Sequence, residues 1–131
     1  FGISKPNNTK VLFDTADELG VTTVLDTELA EMTVREAAER AVAAVAGDRP
    51  IHLSIDLDVL PAAVAPGVSA PAGFGVEYAM LRAMVAAVAA TGRVALLDVV
   101  ELNPDFDVDN RTAKSAARLI DDAVVGAKLR R

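Results

Sequence analysis

A chain of 131 residues with 52% hydrophobic and 24% charged side chains is sized and balanced for one globular domain, and it excludes a disordered polypeptide. A formal net charge of −6 argues against nucleic acid or an anionic membrane as partner, and the lack of cysteine excludes a disulfide framework and a thiolate metal centre. The most apolar run, residues 83–90, is too short for a bilayer span and no signal-peptide pattern opens the chain, so a soluble protein of the reducing cytoplasm is expected.

Phe1-Gly2-Ile3 reads as the tail of a strand, and with Phe rather than Met at position 1 the chain reads as truncated. Residues 8–19 place Val11, Leu12, Ala16 and Leu19 at helical spacing, with Gly20 as the stop. Residues 21–25 form a short β-branched strand. Thr33 and Glu36 have capping-box spacing and open a helix that runs to Val45 and stops at Gly47. Residues 50–57 follow as a strand apolar enough for burial on both faces, as central parallel strands are. Residues 61–75 contain three prolines and three glycines and must be a long loop, of the kind that usually carries function. A helix over 76–91 ends at Gly92, a strand covers 94–102, and Asn110 or Thr112 opens a last helix reaching residue 125. Alternation of strand and helix predicts βαβ units, a parallel sheet and helices on both its faces.

Ligands in such sheets sit beyond the carboxyl ends of the strands, where Asp56, Asp58 and Glu101 all fall. Asp56 and Asp58 share one face if the strand stays extended, and could grip one hard divalent cation such as Mg²⁺ or Mn²⁺. The same Asp-x-Asp pattern fits two solvated loop carboxylates. It also fits a phosphotransferase of the haloacid-dehalogenase kind with Asp56 as nucleophile, or a metal hydrolase in which both carboxylates bind ions. Glu101, closed off by Asn103-Pro104, is a second candidate, equally compatible with a rim glutamate capping a neighbouring loop.

The only histidine, His52, lies four residues before Asp56. Along a strand that is roughly 13 Å, too far to share an ion, so a hydrogen-bonded core histidine is expected. Asp98 is expected to bond backbone donors. Asp105, Asp107 and Asp109 lack the glycine and closing glutamate of a calcium loop and read as a solvated turn. Asp121 and Asp122 read as an exposed helix face.

Taken jointly, Ser54-Ile55-Asp56-Leu57-Asp58, Pro66-Gly67, Gly75 and Glu101-Leu102-Asn103-Pro104 resemble the C-terminal signature of the arginase, or ureohydrolase, superfamily. The strand Arg49-Pro50-Ile51-His52-Leu53-Ser54 is similar to one in arginases whose histidine is not a ligand. Within the superfamily, Phe1-Gly2-Ile3-Ser4, Asp58-Val59-Leu60-Pro61-Ala62 and Pro66-Gly67-Val68-Ser69-Ala70-Pro71 most resemble the formimidoylglutamase branch of histidine degradation.

The resemblance implies a three-layer α/β/α sandwich with a mainly parallel sheet and two Mn²⁺ ions, with Asp56 and Asp58 among their ligands. It implies hydrolysis of the amidine N-formimino-L-glutamate to L-glutamate and formamide, and a homo-oligomer when full length. Glu101 matches the family glutamate that faces the substrate's cationic nitrogen group, where a carboxylate can accept two parallel N–H bonds. Ala70 replaces the threonine of arginases and agmatinases, which weighs against guanidino substrates without excluding them. Leu60 runs directly into Pro61, without the aspartate many members carry between them. The family's upstream Gly-Gly-His and Asp-x-His-x-Asp elements do not occur here. The chain therefore reads as the C-terminal part of a single ureohydrolase domain, inactive when isolated. An arginase- or agmatinase-type guanidino hydrolase and a non-catalytic assembly fragment are the alternatives.

Overall fold

A computed structural model describes residues 1–128. The elements in chain order are α1 (Lys10–Glu18), α2 (Asp26–Ala30), α3 (Val34–Ala44), β1 (Ile51–Asp56), α4 (Tyr78–Ala89), β2 (Val94–Val100) and α5 (Arg111–Lys128). β1, α4 and β2 form a βαβ unit with the strands paired in parallel. Ile51 faces Val94 but His52 faces Leu96, so Ala95 is an extra residue, and the register then runs unbroken to Asp56 opposite Val100.

Local chemistry sets several boundaries. Thr33 Oγ1 accepts the Glu36 N–H at 3.3 Å while the Glu36 carboxylate accepts the Thr33 N–H at 2.8 Å, the reciprocal cap expected for α3. α4 buries Met80, Leu81, Met84, Val85, Val88 and Ala89, a wide apolar stripe suited to a helix between two others. α5 buries Thr112, Ala116, Leu119, Ala123 and Gly126 at alternating spacings of four and three. Gly126 lets the backbones of α4 and α5 close up, since a Cβ there would lie 2.6 Å from the Ala86 carbonyl oxygen. Arg82 then reaches across, its Nε and Nη2 donating to Asp122 Oδ2 and Oδ1 at 2.6 and 2.9 Å.

The core joins these helices to one face of the sheet, through Ile51 and Ile55. The face carrying His52, Ser54 and Asp56 is exposed, and no described element covers it. Two expectations are therefore corrected. β1 is covered on one face rather than two, and His52 is hydrogen-bonded but more than half exposed, its side chain 55% accessible. Among the described residues, the helices that join the core lie on the face of the sheet that carries Ile51 and Ile55.

The expected strand over 21–25 is reduced to a single parallel bridge between Ile3 and Leu25. α2, which was not expected, follows at once, with the Leu25 N–H bonded to Glu28 Oε2 at 2.7 Å. Asp122 is not on an exposed face; its side chain is 11% accessible and paired with Arg82 and Arg118. Among the described residues, no helix is long and apolar enough to cross a membrane.

Candidate metal and substrate site

β1 delivers Asp56 as its last residue, and the chain then coils into a single 3₁₀ turn over Leu57–Val59. Asp56 Oδ1 accepts the backbone N–H of Asp58 at 2.9 Å, an Asx-type turn that swings the second carboxylate round. The two carboxylates are thus brought together by a turn, not by the alternation of an extended strand. Leu57 and Leu60, both fully buried, pin the turn to the core.

The result is a carboxylate short of partners. Asp58 Oδ1 is buried and receives no hydrogen bond. Burial raises the Asp58 carboxyl above the usual carboxylate range, and the neighbouring charges of Asp56 and Glu101 push it further in the same direction. A buried anion without donors or a counter-charge is costly, and a hard divalent cation is what would relieve it. The residues present fit a metal, but as part of a coordination shell. Among the described residues, no three His, Cys, Asp or Glu side chains gather closely enough to hold an ion by themselves.

Glu101 enters from the end of β2, one residue beyond the Asp56–Val100 pair. Its φ of 69° is left-handed, a conformation that costs a non-glycine residue about 1–3 kcal/mol and that clusters at functional positions. The Ser69 hydroxyl approaches Glu101 Oε2 at 3.4 Å. That loop is anchored through Gly67, whose N–H donates to Thr112 Oγ1 at 2.7 Å and whose carbonyl accepts the Asn103 N–H at 2.8 Å. Only glycine fits there, since a Cβ would lie 2.6 Å from that of Asp107.

Asp56 and Asp58 line a cavity of about 390 Å³ with Asn7, Asn8, Asp26 and Ala70, and among the described residues no Lys, Arg or His side chain faces it. Asp26, only 4% exposed, was not singled out from the sequence. The signal that finds it is the one that found Asp56 and Glu101, a carboxylate at or just past the last residue of a parallel pairing, here Ile3–Leu25. Ser69 carried no such signal.

The remaining acidic residues have other tasks. Asp98 bonds side chains rather than backbone donors, a correction to expectation: Ser54 Oγ donates to its Oδ1 and His52 Nε2 hydrogen-bonds its Oδ2, each at 2.5 Å. Those two bonds hold its carboxyl below the usual range. Asp107 is no idle turn residue either. Burial pushes its carboxyl up, but the N–H groups of Thr112, Ala113 and Val108 outweigh that and hold it low, so that it caps α5.

The family model for the arginase family matches residues 1–126. Over 119 residues the chain is 52% identical to a formimidoylglutamase of Nocardia farcinica, covering 91% of this chain and 37% of that protein. It is 50% identical to a formimidoylglutamase of Corynebacterium efficiens, covering 91% and 38%. The crystal structure of Trypanosoma cruzi formiminoglutamase with Mn²⁺ superposes with a TM-score of 0.89 over all of this chain and 44% of that one; at 22% identity the likeness is one of fold. The chain spans less than two fifths of the length of the two bacterial relatives. By the match over residues 1–126, it belongs to the arginase family.

Proposed function

We propose that the chain is the C-terminal part of a manganese-dependent formimidoylglutamase, which hydrolyses N-formimino-L-glutamate to L-glutamate and formamide in histidine degradation. The observation that carries this reading is the 50–52% identity, over 91% of the chain, to two relatives bearing that name. Asp56 and Asp58 would hold manganese, with the remaining donors supplied by a part of the protein outside this chain. Bound manganese supplies a water acidic enough to react near neutrality and positive charge beside the reacting carbon.

Glu101 offers two oxygens to the parallel N–H groups of the amidinium, a bidentate match that orients the carbon toward the cavity. Ser69 steadies one of those oxygens. Among the described residues the cavity wall bears Asp26, Asp56 and Asp58 and no Lys, Arg or His side chain, a lining that favours the cationic end of the substrate over its carboxylates.

The test is formamide release by the full-length, manganese-loaded protein from N-formimino-L-glutamate, with arginine and agmatine run in parallel. Preference for either guanidino compound would overturn the substrate assignment. Asp56 and Asp58 cannot complete two octahedral shells of about six donors each, so the 131-residue chain alone should be inactive. Manganese-dependent turnover by that chain would refute this part of the reading.

A further inference from the structure

Asp98 joins β2 to β1 through two side-chain bonds, to Ser54 and to His52. Ser54 is its direct partner in the strand register, and the pairing beyond it, Ile55–Val99 and Asp56–Val100, leads straight to the site residues. Before it, at Ile51 and His52, the register is broken by the extra residue Ala95. A parallel pair carrying a bulge has a neighbouring register one residue away. Slippage by one residue would move Glu101 about 3.3 Å along β1 and turn the β2 side chains to the other face.

We propose that Asp98 is a positioning residue, clamping β2 to β1 at His52 and Ser54 so that Glu101 keeps its distance from the Asp56–Asp58 turn. The inference rests on the proposed amidine hydrolysis at that site. Its asymmetry makes it testable. Asp56 and Asp58 both follow β1, so the metal ligands stay together whatever β2 does, while Glu101 moves with β2. A residue that merely stabilised the fold would lower the amount of folded protein and leave the constants of the folded fraction unchanged.

The experiment is Asp98→Ala in the full-length, manganese-loaded protein, with Asp98→Asn as the conservative variant. The expected result is unchanged manganese per protomer and a fall in kcat/KM on the order of 10- to 100-fold, carried mainly by KM. Asp98→Asn should recover most of it, because an amide oxygen still accepts from Ser54 and its nitrogen donates to a neutral His52. Unchanged kcat/KM in folded Asp98→Ala, or manganese lost in step with activity, would overturn the proposal. Where Asp98→Ala fails to fold, Ser54→Ala removes one bond only, with the same pattern expected at smaller size. Should the wild-type protein hydrolyse no amidine, the functional reading fails and amide hydrogen exchange over 51–56 and 94–100 decides the clamp. Faster exchange in Asp98→Ala supports it, and unchanged protection overturns it.

Discussion

Asp56 accepts the backbone N–H of Asp58 at 2.9 Å, and the turn so formed buries Asp58 Oδ1 with no donor of its own. The backbone bond is satisfied at the expense of the second carboxylate. Without metal this is a stability cost, since an unsatisfied buried polar atom is worth about 1–3 kcal/mol against folding. Asp58→Asn keeps the shape and removes the charge. In metal-free solution the variant should unfold at higher urea than the wild type, and added Mn²⁺ should stabilise it less. A lower midpoint for the metal-free variant would mean that Asp58 has a partner after all.

The Arg82–Asp122 pair ties α4 to α5, and it contributes to the acid limb of stability. Arg82's hydrogen bonds to the carboxylate hold Asp122 below the usual carboxylate range, against its burial, with Arg118 adding to the effect. A folded-state pKa lower than the unfolded one contributes stability that is fully present above the unfolded value and is lost as pH falls through the folded one. The window therefore lies below about pH 4. Asp122→Asn should lower the urea midpoint at pH 6 and flatten its decline between pH 4 and 2.5. Parallel acid limbs in the two proteins would show that other carboxylates control it.

Gly126 offers a case where two effects oppose each other. In a helix interior Gly→Ala ordinarily gains about 1 kcal/mol from propensity. Here the added methyl would lie 2.6 Å from the Ala86 carbonyl oxygen, which is backbone and cannot swing aside. Overpacking of that sort costs about 1–3 kcal/mol, so the sign should be destabilising. Thermal melts of Gly126→Ala should show a lower Tm than wild type; an increase would mean that α4 and α5 separate cheaply.

Much of this fold is legible locally. The Thr33–Glu36 box, the apolar stripe of α4 and the two strands before Asp58 and Glu101 are each written in a few consecutive residues, although β2 ends at Val100 and not at 102. What escapes is set by partners distant in sequence. Asp122 looks like half of a solvated Asp-Asp pair until α4 brings Arg82 from 40 residues away. His52 sits on an apolar strand yet is half exposed, because the cover of a sheet face is not encoded in the strand itself. α2, at five residues, is shorter than the window in which helical periodicity can be recognised. At the site, period-two alternation rightly put Asp56 and Asp58 together but for the wrong reason, since strand geometry ends at Asp56 and a side-chain-to-backbone bond takes over.

Thr112 shows how a residue remote from the chemistry can be required for it. It is fully buried at the start of α5, and its hydroxyl oxygen accepts the N–H of Gly67 at 2.7 Å. Gly67 in turn accepts from Asn103, two residues beyond Glu101, so one glycine links α5, the 61–75 loop and the segment bearing Glu101. Thr112→Val preserves volume and leaves the Gly67 N–H buried without an acceptor, at a cost of about 1–3 kcal/mol. The loop can recover that hydrogen bond only by shifting, and Ser69 and Glu101 would shift with it. In the full-length protein, Thr112→Val should therefore lower both Tm and kcat/KM while manganese content holds at the wild-type value. Thr112→Ser, which keeps the oxygen, should restore the kinetics while remaining less stable for want of the methyl group. Equal loss of activity in the Val and Ser variants would show that the packed methyl, rather than the hydrogen bond to Gly67, holds the loop over the site.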